Sequence, residues 1–165
     1  MFSIEKAKEC DALGIAIVNV YTWKTQYSGL IDEKIIDKRI TNIALSEARI
    51  KERIKSEREY IVLKKENTVI GFVSFGKCDD EKYENYGEIK ALYILEGFKG
   101  QGFGRALFER AREELNKIDF NKMRINCLKG NPSLDFYIHM GGKVIGEFEN
   151  SILGPGVMEE IIIYD

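Results

Sequence analysis

Leu92-Tyr93-Ile94-Leu95-Glu96-Gly97-Phe98-Lys99-Gly100-Gln101-Gly102-Phe103-Gly104-Arg105-Ala106-Leu107-Phe108 runs from an apolar strand, through glycines at alternate positions, into an amphipathic helix. Glycine lets the backbone come close to a ligand because no Cβ stands in the way. The helix that follows opens with amide groups that lack internal partners and carry a partial positive charge of about half a unit. Together these properties make an anion site, and a pyrophosphate is its natural occupant. Lys99 and Arg105 add positive charge at the edges. A Walker A loop would continue as Gly-Lys-Ser/Thr, whereas Gly104 is followed by Arg105-Ala106. A dinucleotide fingerprint, Gly-x-Gly-x-x-Gly, also fails: counted from Gly100 or Gly102, the third glycine is missing.

On the C-terminal side the helix extends over 102–117, with Phe103, Leu107, Ala111 and Leu115 recurring every four residues. A strand (123–128), a short helix (133–140) and two last strands (144–148 and 157–164) follow. On the N-terminal side the strand begins near Glu88, after a polar loop at 79–86. Residues 60–63 and 69–75, joined by Glu66-Asn67, read as a hairpin. Further back, 2–5 is a short strand. Asp11 caps a helix carrying Ile15, Val18 and Tyr21 on one face, with Leu13 and Ile17 beside them. Two charged helical pieces span 32–40 and 46–56, the second with Ile50 and Ile54 on its buried stripe. Strands first in a hairpin, then alternating with helices, predict an α/β chain of the α+β type, a mixed sheet covered by helices.

No repeat, low-complexity tract or linker interrupts the 165 residues, which predicts one domain over 1–165. Twenty-five basic against 27 acidic side chains leave a formal charge of -2, giving no electrostatic reason to expect nucleic acid or an anionic membrane as partner. No secretory signal opens the chain and no apolar run is long enough to span a bilayer. Cys10, Cys78 and Cys127 form neither a disulfide framework nor a metal-ligand pattern, so the expected setting is reducing and cytoplasmic, with no metal.

The segment from Leu92 to Phe108 resembles motif A of the GCN5-related N-acetyltransferase (GNAT) family: a strand, Arg/Gln-x-x-Gly-x-Gly/Ala, then a helix. Lys99 stands where that family usually has Arg or Gln, and Glu96 where proline is common. Asn131-Pro132-Ser133-x-x-Phe136-Tyr137-x-x-x-Gly141-Gly142 is similar to the family's later motif, in the correct order and with a strand between. The opening helix, with Trp23 and Tyr27, and the ending, with Glu159-Glu160, extend the likeness over nearly the whole chain. The resemblance implies a GNAT fold: a central, mostly antiparallel mixed sheet of about seven strands, flanked by helices and splayed between the fourth and fifth. It implies acetyl-CoA as acetyl donor, with the backbone of Leu92, Tyr93 and Ile94 pairing with the pantetheine amides. It further implies that Lys99, Gly100, Gln101, Gly102, Phe103, Gly104 and Arg105 surround the pyrophosphate and that Asn131 and Tyr137 contact the cofactor arm. A homodimer is compatible with it, on no surface the sequence names.

Amine acetylation needs a neutral amine near the thioester, a donor for the developing oxyanion and a proton for the departing thiolate. A free alkyl amine has a pKa near ~10.4, so a base that removes its proton contributes typically ~10²–10⁴-fold. Glu88 is the candidate base, by its resemblance to the glutamate of the histone-acetylating branch; Tyr137 is the candidate acid, matching the family tyrosine that protonates the thiolate. The oxyanion donor, by resemblance, is the Ile94 amide. Trp23 and Tyr27, one helical turn apart, shape the acceptor pocket or the core. His139 lies ~200° around the helix from Tyr137 and reads as surface, and Cys127 as a buried apolar thiol. Direct attack on a small-molecule amine in a ternary complex is therefore the leading expectation. A protein or peptide acetyltransferase and a non-catalytic acetyl-CoA sensor are the alternatives.

Overall fold

Side-chain alternation along β2 (Glu59–Lys65) and β3 (Thr68–Lys77) sends successive residues to opposite sides of the sheet. Tyr60, Val62 and Phe72 meet α1 (Ala12–Thr22) and α3 (Ile43–Lys55) on one face. Ile61, Leu63, Val73 and Phe75 pack with Leu107, Ala111 and Leu115 of α4 (Phe103–Lys117) on the other. The computed structural model describes residues 1–56 and 58–165.

The remaining strands are β1 (Phe2–Lys6), β4 (Tyr86–Ile94), β5 (Lys122–Leu128), β6 (Lys143–Glu149) and β7 (Met158–Tyr164). They form one seven-stranded sheet in the order β1-β2-β3-β4-β5-β7-β6. Every neighbouring pair is antiparallel except β4 and β5, which run parallel. The parallel step needs a crossover, and α4 supplies it. The mixed, mostly antiparallel sheet flanked by helices is the architecture the sequence predicts.

Local differences have physical causes. Asp11 does not cap α1. Its side chain accepts from the Lys8 amide at 2.9 Å, closing a 3₁₀ turn at Glu9–Asp11, and pairs with the half-buried Lys64 at 2.8 Å. The buried face of α1 is set by Ala12, Ile15, Ala16 and Val18, while Leu13, Ile17 and Tyr21 stay nearly half exposed. This helix is apolar nearly all round, so the small residues that allow close approach to the sheet choose the face. Helix α2 (Glu33–Thr41) begins after Asp32, whose carboxylate accepts from the Lys34 amide, and α3 starts three residues earlier than its periodicity suggests. A last helix, α5 (Ser133–His139), sits between β5 and β6.

Candidate active site

The parallel pairing of β4 with β5 runs from Tyr86↔Lys122 to Ile89↔Ile125 and stops there. Beyond it β4 stays paired with β3, and β5 with β7. The facing edges of residues 90–94 and 126–128 are left with main-chain donors and acceptors and no strand opposite. A cleft of about 210 Å³ opens in this gap. Trp23, Tyr27, Leu92, Tyr93, Asn131 and Tyr137 all line it, although they are scattered over more than a hundred residues of sequence.

A bulge shapes the β4 wall. Ser74 pairs with Ala91 and Phe75 with Ile89, so Lys90 is an extra residue. Two residues of β4 against one of β3 turn Lys90 and Ala91 to the same side. Ile89 thus reaches the core under α4, while Lys90 and Ala91 border a second, larger cavity of about 630 Å³ beneath α2 and α3. The two spaces share Trp23, Arg39, Lys90, Ala91 and Tyr93 as a common wall.

Trp23 and Tyr27 lie in a π-helical turn, Trp23–Tyr27, that prolongs α1. Such a turn widens the backbone spiral and commonly accompanies functional sites. Hydroxyls take up the loosened carbonyls: Thr25 Oγ1 donates to Tyr21 O at 2.9 Å and Ser28 Oγ to Lys24 O at 2.7 Å. The two rings stand edge to face with centroids 5.1 Å apart. The Tyr27 and Tyr93 hydroxyls are 3.0 Å apart, and the Arg39 guanidinium lies 3.5 Å above the Trp23 ring. Both rings also pack with Ile31, Ile36 and Leu128, so they serve as core and cleft wall at once.

Tyr137 is held from several sides. Asn131 Oδ1 accepts from the Ser133 amide at 3.0 Å and fixes the first turn of α5. Gly141, at φ +99, reverses the chain after the helix. A Cβ on Gly142 would come within 2.5 Å of Ile162, so that glycine lets the reversal lie against β7. Tyr164 then donates to the Tyr137 carbonyl at 2.7 Å. Burial, with Cys127 as a lesser contributor, pushes the Tyr137 phenol well above its usual range, so it is a neutral acid at any ordinary pH. Cys127, also in the cleft wall, is pushed up to about 12 by burial and by Glu160 and Glu159, which keeps it a thiol.

The glycine loop has the form expected of an anion site. Gly100 and Gly102 have φ of +75 and +82, and a Cβ on either would meet only open space. The first helical bond of α4 is from the Ala106 amide to Gly102 O, which leaves the amides of Phe103, Gly104 and Arg105 without an intrahelical acceptor. Gly104 has a packing role as well: a Cβ there would press against Phe136 of α5 at 3.4 Å. Lys99 is paired with Glu96 at 2.6 Å. The two positions that depart from the family pattern thus form an ion pair with each other.

Glu88, Ile94 and the loop residues do not line the cleft. Glu88 is buried one residue outside it, with its carboxylate 3.1 Å from Lys90 Nζ, and Lys90 also meets Asp79 at 2.6 Å. The carboxylate that does face the cleft is Glu159, held by Asn150 Nδ2 at 2.9 Å. His139 is exposed, 3.4 Å from Arg105. Among the described residues no cluster of His, Cys, Asp or Glu is arranged to hold a metal, and no helix is long and apolar enough to cross a membrane.

This parted sheet, with a glycine loop at one end and a tyrosine in the gap, is the form of an acyltransferase. The chain belongs to the acetyltransferase (GNAT) family, whose profile matches residues 21–141. Over 160 residues it is 32% identical to the uncharacterized N-acetyltransferase YuaI of Bacillus subtilis (strain 168), covering 96% of this chain and 90% of that protein. Among solved structures, the PaiA N-acetyltransferase of Thermoplasma acidophilum, in complex with coenzyme A, superposes with a TM-score of 0.81 at 19% identity. That match covers 99% of this chain and 98% of the other. The protein yncA of Salmonella typhimurium, solved with its cofactor acetyl-CoA, gives a TM-score of 0.69 at 19% identity over 99% and 92% of the two chains.

Proposed function

We propose that the chain moves the acetyl group of acetyl-CoA to the primary amine of a small molecule, by direct attack in a ternary complex. The observation that carries this reading is the shared wall: the gap between β4 and β5 and the cavity under α2 and α3 meet at Trp23, Lys90, Ala91 and Tyr93. A donor in the first and an acceptor in the second would react across that wall. The cavity volume of about 630 Å³ lies in the range of small-molecule sites.

Acetyl-CoA, when bound, supplies an activated acyl carbon on a thiol leaving group. The free edge of Leu92 to Ile94 offers strand-like pairing to its amides, and the loop from Gly100 to Arg105 offers donors to its pyrophosphate. Attack forms a C–N bond and breaks a C–S bond; the amine gives up one proton and the sulfur gains one. Tyr137 is the donor for the sulfur. With Cys127 held as a thiol, no acyl-enzyme step is called upon. The proton from the amine goes to a carboxylate. Glu88 fills that role through water beside Lys90; a second assignment, Glu159, is favoured by its position in the cleft wall.

The test is a thermal-shift titration with acetyl-CoA followed by thiol release across a panel of amines. A ligand that binds the folded state alone stabilises by ~2.7 kcal/mol at a hundredfold excess over its Kd. A shift with thiol release is expected; no shift from a folded sample refutes the reading. Glu88→Gln and Glu159→Gln separate the two bases: the true one loses ~10²-fold or more in kcat near neutral pH, and the loss shrinks as pH approaches the pKa of the amine.

A further inference from the structure

The cavity under α2 and α3 has a one-sided charge. Among the described residues, Lys38, Arg39, Arg49, Arg53, Arg58 and Lys90 line it, and no aspartate or glutamate does. Lys90 and Arg58 are partly neutralised from outside by Asp79, and Lys90 also by Glu88. Arg39 and Arg49 have no carboxylate within salt-bridge distance among the described residues; Arg39 is tied only to Asn19 at 3.2 Å and to the face of Trp23. Burial lowers the Arg39 pKa against an opposing pull from Tyr93 and Tyr27, and the neighbouring Arg53 and Arg49 add smaller contributions in the same direction as burial. A protein of net charge -2 has thus gathered cations around one concave space. The smaller cleft differs: it holds the carboxylate of Glu159 and the hydroxyls of Tyr27, Tyr93 and Tyr137.

We propose that the acceptor is an amine that also carries an anionic group, a carboxylate or a phosphate, with the anion held by Arg39 and Arg49 in the basic cavity and the amine directed past Lys90 and Trp23 to the cleft. This assignment rests on the acetyltransferase reading and narrows its substrate. A guanidinium offers paired donors in a plane, matched to two oxygens of either anion. Such an occupant relieves the mutual repulsion of the guanidinium groups, whereas a polyamine adds to it. The shared wall places Arg39 on the border of both spaces, so one compact zwitterion reaches from the cations to the site of transfer.

Matched pairs of acceptors test this: 4-aminobutyrate against its amide, and 2-aminoethyl phosphate against ethanolamine, with spermidine and an acidic peptide alongside. The anionic member of at least one pair is expected to exceed its neutral counterpart by ~10-fold or more in kcat/KM. Arg49→Gln, on an exposed side chain, and Arg39→Gln are expected to raise KM for that acceptor and to erase the preference, with KM for acetyl-CoA unchanged. Equal rates for both members of each pair, or a preference for spermidine or the peptide, overturns the proposal, as does a preference that survives both substitutions. Inorganic phosphate, titrated in a thermal-shift assay with saturating coenzyme A so that the glycine loop is filled, reads the cavity without turnover. Stabilisation of the native protein that is lost in the double variant supports the basic site even if no amine reacts, in which case the acetyltransferase reading alone has failed. Equal stabilisation of both proteins, or none, overturns the anion site.

Discussion

Tyr137 has one protonation state available at ordinary pH, and the fold makes it so by burying the ring and leaving its hydroxyl in the cleft wall. Tyr137→Phe removes the proton and little else. It is expected to lower kcat by about 10²-fold with little change in KM for acetyl-CoA, read by steady-state thiol release. Cys127→Ser is the matching control: a thiol with a pKa of about 12 carries no acyl group, and turnover is expected to persist. Tyr137, Asn131 and the loop glycines are legible in the sequence because their neighbours form motifs with fixed spacing. Glu159 is not. It reaches the cleft because β7 pairs with β5 in the register Leu128↔Glu159, and no local pattern encodes a pairing between segments thirty-one residues apart. Lys90 escapes notice for a related reason, since a bulge and not its own type turns it toward the cavity.

Among the elements, the turn into α4 depends most on residue type. Gly102 is at φ +82 and caps the helix from a conformation that costs a branched residue ~1–2 kcal/mol or more. Gly102→Val is expected to weaken acetyl-CoA binding by ~10-fold or more in calorimetric titration, while circular dichroism shows the fold retained. The strands, the hairpin and α4 follow from periodicity and turn residues, which is why the sheet is readable in advance. Helix α1 is less so. Apolar side chains surround it, and its buried face is decided by what Ala12 and Ala16 allow to come near. Its π-helical extension has no composition of its own, yet it sets the directions of Trp23 and Tyr27.

For the molecule as a whole, burial of weak acids sets a limit on the alkaline side. Cys127, Tyr137 and Tyr164 all have pKa values raised chiefly by burial, from ordinary values of 9.0, 10.0 and 10.0. Above those values the unfolded chain releases protons that the folded chain still holds. The stability is therefore complete below pH 9.0 and falls as pH rises toward about 12 for the thiol. Denaturant titrations between pH ~8 and ~11 are expected to show this decline, with a shallower slope in Cys127→Ala. The four-pair seam between β4 and β5 has a further meaning at this scale. Mechanically the sheet is two jaws, β1 to β4 and β5 to β7, riveted at one end only. Among the described residues, each jaw keeps backbone groups with no strand opposite, and on the proposed reading the amides of the donor finish the weave. On that reading the bound donor is a temporary eighth strand, and the sheet is complete only while the donor is in place.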